Sequence, residues 1–124
     1  MTRDVDTVMQ ELIAEGKEQL LAHPDADQVV VVKTENNNLR SFSNNLKSNG
    51  VDEKNFVEQI SASEDPVIKY VLCMWSDGSI EIPSMHFRNL LLDASAENAQ
   101  AVIILQGMDG ISCKKLITCM PNEK

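Results

Sequence analysis

Apolar residues recur at helical intervals along the start of the chain. Val5, Val8, Met9, Leu12, Ile13 and Leu20 share one face if residues 4–22 form an α-helix. Gly16 falls inside that stripe. It costs about 1 kcal/mol of helix propensity there, but lets a neighbour approach closely. Pro24 stops the helix, because its ring disfavours helical backbone at His23. After a polar turn at 25–27 the period changes. Four consecutive valines, Val29 to Val32, point apolar groups to both faces of a strand over 28–34, so both faces should be covered.

Residues 35–50 hold six asparagines and only a weak apolar stripe, Leu39, Phe42 and Leu46. Asparagine favours turns, so this segment reads as a loop or a short helix. Asp52 is a suitable cap for a helix to about residue 63, with Phe56, Val57 and Ile60 inward. Residues 67–75 form an apolar strand. Asp77-Gly78 signals a two-residue hairpin turn leading into a short strand at 79–82. That turn pairs Trp75 with Ile80, Met74 with Glu81 and Cys73 with Ile82. Pro83-Ser84 opens a third helix, with Ser84 as cap and Phe87, Leu90, Leu91 and Ala94 as its stripe. Strands at 101–106 and 111–119 close the chain. The expected product is a single α+β domain over 1–124. It has a mixed, mainly antiparallel sheet of about five strands packed with three or four helices.

Composition changes this picture little. The chain has 124 residues, 43% hydrophobic and 24% charged, enough for one core. Its net charge of −8 disfavours nucleic acid, and its longest apolar runs are too short for a membrane span. Met1 to Asp6 are not followed by the apolar stretch of a secretion signal, so a cytoplasmic location is expected. Three cysteines without a C-x-x-C pattern read as free thiols. Cys113 and Cys119, six residues apart in one strand, would lie about 20 Å apart, beyond the roughly 4–7 Å that a disulfide spans.

Candidate chemistry is sparse. The expected hairpin puts Tyr70, Leu72, Met74 and Glu81 on one face, an apolar surface with a carboxylate that suits a ligand or a subunit interface. His86 and Trp75 are candidate rim residues of a pocket. Cys73 with His86 is the one thiol–imidazole pair to weigh, against a cysteine packed in a strand. Asp4, Glu11, Glu15 and Glu18 form an acidic stripe on the first helix, solvated or poised for a basic partner. No metal-ligand spacing, phosphate loop or cofactor motif is present, so neither metal nor cofactor is expected. The leading expectation is a small acidic binding or interaction protein, non-enzymatic and self-associating as a homo-oligomer, with a small molecule or a basic protein as partner. Two alternatives stand beside it. One is a small enzyme with a pocket near Cys73, Glu81 and His86. The other is an acidic inhibitor, antitoxin-like, that neutralises a basic partner.

Overall fold

The computed structural model describes residues 5–107 and 110–119. Helix α1 spans Val5–Ala22 and leads into strand β1, Gln28–Thr34. Strand β2, Leu39–Asn44, follows, then a short 3-10 turn at Leu46–Ser48 and helix α2, Val51–Ser61. Strands β3, Ile68–Trp75, and β4, Ile80–Glu81, precede helix α3, Met85–Ala94. Strands β5, Val102–Gly107, and β6, Gly110–Lys115, complete the sheet. The fold is α+β, with one strand more than expected.

The sheet runs β2-β1-β3-β5-β6. All neighbours are antiparallel except β3 and β5, which are parallel through the crossover that contains α3. One edge of β3 is shared: Tyr70–Leu72 pair with β5, while Cys73 and Met74 pair with β4. Helices cover both faces. Val8 and Leu12 of α1 pack on Val29, Val31, Leu72 and Met74. Phe56, Val57 and Ile60 of α2, with Phe87 and Leu91 of α3, pack on Val30, Val32, Val71 and Cys73. Strand β1 is buried at all seven positions, as a strand with valines toward both layers must be. Gly16 also has the role its position implies. A Cβ there would lie 3.2 Å from the Met74 sulfur, so the glycine lets α1 sit close on β3.

Two expectations are corrected. Residues 39–44 form an edge strand rather than a loop or helix. Phe42 and Asn44 face the α2 side, while the outward positions are polar enough to resemble a loop. The β3–β4 hairpin is also one residue out of the expected register: Met74 faces Ile80 and Cys73 faces Glu81. Trp75 closes around Ser79 with a longer loop, Ser76-Asp77-Gly78, and Gly78 has φ +90°. A slip of one residue exchanges faces. Ile80 therefore joins Met74 beneath α1, and Glu81 leaves the face it was expected to share with Leu72 and Met74. Among the described residues no helix is long and apolar enough to cross a membrane.

Candidate functional site

At one end of the sheet the register aligns three polar side chains. Gln28 of β1 lies opposite Asn44 of β2 on one side and Trp75 of β3 on the other. All three share the α2/α3 side with Val30, Phe42 and Cys73, because side chains alternate along a strand. Over this row stand the first turns of α2 and α3. Gly50, with φ +88°, begins α2 without a side-chain cap. Asp52, expected as that cap, instead lies in the first turn and accepts a hydrogen bond from the Asn45 backbone N–H at 3.0 Å. Glu53 is on the same inward face as Phe56, Val57 and Ile60. Ser84 caps α3 as its position implies, accepting from the Phe87 backbone N–H at 3.0 Å.

Glu53 and its neighbours form a chain of hydrogen bonds. Ser84 Oγ donates to Glu53 Oε2 at 2.8 Å. Asn44 Nδ2 donates to the same oxygen at 3.2 Å and to Gln28 Oε1 at 2.7 Å. Glu53, Asn44 and Gln28 are all nine-tenths or more buried. Glu53 Oε1 has no partner among the described residues, nor do Gln28 Nε2 and Asn44 Oδ1. The indole Nε1 of Trp75 is fully buried without an acceptor. Glu53, Gln28, Asn44 and Trp75 line a cleft of ≈ 450 Å³, within the usual size range for small-molecule sites, whose walls include Leu46, Ile82 and His86. His86 bridges the two helix starts, with Nε2 3.3 Å from the Gly50 carbonyl oxygen.

The residues singled out in the sequence fare differently. Trp75 and His86 line this cleft together. Glu81 does not. It is exposed on β4 beside a separate groove with Leu105, Gln106 and Ser112. Leu72 and Met74 are fully buried under α1, and Tyr70 is half-buried beside them, so the surface expected for self-association is part of the core. Cys73 is buried too. Burial, then the charges of Glu53 and Glu81, push its thiol up to about 12, the opposite of what a nucleophilic thiol needs. In the acidic stripe, Glu11 pairs with the buried Lys33 amino group at 2.9 Å, and Glu15 accepts from Gln19 at 3.0 Å. Glu18 is exposed, and Asp4 lies outside the described residues. Cys73, Cys113 and Cys119 form no disulfide among the described residues. Among the described residues no three His, Cys, Asp or Glu side chains gather as metal ligands.

Gln28, Asn44, Glu53 and Ser84 were missed. Glu53 carries a local signal: positions 53, 56, 57 and 60 have the spacing of one helix face, which sets a carboxylate in an apolar stripe. Gln28 and Asn44 carry none, because their meeting depends on strand pairing.

No family model matches the chain, and no curated protein matches it in sequence. Among solved structures, the chain is similar to the crystal structure of cytidine deaminase from Mycobacterium leprae. The TM-score is 0.62 at 16% identity, over 98% of this chain and 100% of that one. At that identity the likeness establishes a shared fold. A fold shared with an enzyme runs against the expectation of a non-enzymatic binding protein and favours the enzyme alternative. Leu72 and Met74 are buried and so offer no surface to a partner.

Proposed function

We propose that this protein is a small enzyme that moves protons on a nitrogen-bearing organic ligand, with Glu53 as the acid–base group and the cleft above it as the binding site. One observation carries the reading. Glu53 is only 4% exposed, yet one of its two oxygens has no partner among the described residues. Buried carboxylates are ordinarily satisfied on both sides. A general base needs an oxygen free to take a proton from its ligand, and Glu53 Oε1 meets that need. Ser84 and Asn44 hold the other oxygen and so fix the orientation of the group.

The likeness to a cytidine deaminase supports a ligand of this kind. Zinc-dependent deaminases of bases carry H-x-E followed by P-C-x-x-C. Their histidine and cysteines hold the metal, and the glutamate carries protons. Here Val51-Asp52-Glu53 opens α2, and Pro83-Ser84-Met85-His86-Phe87 lies across the start of α3. By spacing, Glu53 and Pro83 correspond to the glutamate and proline of that pattern. Val51, Ser84 and Phe87 fall at the ligand positions. Valine and phenylalanine have no lone pair to offer. The fully buried Phe87 ring packs among aromatic rings instead, its centroid 5.9 Å from that of Phe42 and 6.5 Å from that of Phe56. This donor set does not fit zinc, so the proposed proton transfer is assigned to protein groups alone.

The reading is tested by incubating the wild type and Glu53→Gln with cytidine, cytosine and simple cyclic amides and following their chemical conversion by NMR. The expected result is a wild-type rate that falls by roughly 10²–10⁴-fold in the variant, the usual contribution of a positioned acid–base group. Equal rates in the two proteins would contradict it.

A further inference from the structure

Resting on the reading of the cleft as the reactive site, we propose that its ligand is a cyclic amide, a ring carrying –NH–C(=O)– with both groups on one edge. The direction of each hydrogen bond carries this. A carboxylate only accepts, so the Asn44 atom 3.2 Å from Glu53 Oε2 is the amide nitrogen. That nitrogen also donates to Gln28, which must therefore offer its oxygen at 2.7 Å. The remaining atoms follow: Asn44 has its oxygen free and Gln28 its nitrogen. Trp75 adds an indole N–H without an acceptor.

The strand register sets Asn44, Gln28 and Trp75 at one level on three neighbouring strands, about 4.8 Å apart. Across this row the cleft offers a donor, Gln28 Nε2, followed by two acceptors, Asn44 Oδ1 and Glu53 Oε1, with the Trp75 indole N–H buried at the donor end. The complementary ligand turns a carbonyl oxygen to the donor end and an N–H to the acceptors. An open-chain secondary amide is trans and points these groups in opposite directions, whereas a ring holds them cis on one edge. Leu46 and Ile82 supply apolar wall for the ring faces. A guanidinium or amidinium would satisfy Glu53, but would turn N–H groups against that of Gln28. The N–H that reaches Glu53 Oε1 is also the proton the base would take, so recognition and reaction use the same contact.

The test is a titration of the ¹⁵N-labelled full chain, because Trp75 is the sole tryptophan and side-chain amides give their own cross-peaks. The probes are 2-piperidone and hydantoin. The controls are N-methyl-2-piperidone, N-methylacetamide and guanidinium. The expected result is a saturable shift of the Trp75 indole and Gln28 amide signals with both probes. Affinity should be at least about tenfold weaker for the N-methylated ring and for the open-chain amide, because a site built around an N–H rejects analogues that lack it or misplace it. Equal binding of 2-piperidone and its N-methyl derivative would overturn the proposal, as would shifts with guanidinium alone or no saturable shift with either probe. Binding is read here without turnover. Failure would therefore leave the role of Glu53 to its own rate measurement, and failure of that measurement would leave ligand recognition standing.

Discussion

Asp65 and Glu53 are buried carboxylates at opposite ends of the same sheet, and the chain satisfies them differently. Asp65 precedes β3 and ties down the β1–β2 hairpin. Thr34 Oγ1 and Asn38 Nδ2 donate to its Oδ2, the latter at 2.7 Å, and the Asn36 backbone N–H donates to Oδ1 at 3.3 Å. Burial alone would push this carboxyl up. The hydrogen bonds from Thr34, Asn38 and Asn36, with the charge of Arg40, pull it below the ordinary value. At the other end, Glu53 accepts both of its protein hydrogen bonds on one oxygen and leaves the second facing a cleft. A carboxylate with both oxygens engaged belongs to the scaffold. A buried one with an oxygen left to a cleft, beside other unpaired donors and acceptors, is suited to bind a ligand.

The largest expected effect on stability lies at Asp65. Asp65→Ala strands three donors and should lower the unfolding free energy by about 2–4 kcal/mol, read from urea denaturation. Asp65 titrates lower in the folded chain than in the unfolded one. Its stabilisation is therefore complete above the unfolded value of about 3.9 and is lost as pH falls from there through the folded value. The deficit of Asp65→Asn against wild type should accordingly be greatest near neutral pH and shrink below about pH 4. A deficit unchanged between pH 7 and pH 3 would remove the charge from the account.

A smaller effect is expected where α2 begins. Gly50 has φ +88°, and a Cβ there would lie 2.6 Å from His86 Nε2. The imidazole is exposed and can swing away, so the cost of Gly50→Ala should be mainly backbone strain, about 1–2 kcal/mol. Adding His86→Ala should recover little of it. Smaller still is Ser84→Ala, which loses a helix cap worth about 1 kcal/mol together with one of the two groups that orient Glu53. Its thermal shift should be modest beside its loss of turnover.

How much of this was legible in the sequence depended on distance along the chain. Gly16 and the valines of β1 announce close packing and two covered faces, because those signals are local. The partition of β3 between β4 and β5 is not local, and neither is the alignment of Gln28, Asn44 and Trp75, which exists only once three strands are in register. Asp77-Gly78 marked a turn correctly but concealed its length. Drawing Ser76 into the loop moved Glu81 off the expected face. Strand β2 escaped notice because an edge strand needs an apolar pattern on its inner face alone. Glu53 is legible locally, as a carboxylate at an inward position of α2.

If Glu53 serves the cleft and Asp65 serves the fold, the two carboxylates should respond differently to loss of their charge. Urea unfolding of Glu53→Gln beside Asp65→Asn at neutral pH tests this most directly. Glutamine keeps the shape of Glu53 and one acceptor for Ser84 and Asn44, and neutralising a buried functional charge tends to stabilise. The prediction is a Glu53→Gln variant within about 1 kcal/mol of wild type, or more stable, while Asp65→Asn loses about 2 kcal/mol or more. Equal large losses in both variants would contradict the account, because Glu53 would then be a structural carboxylate like Asp65.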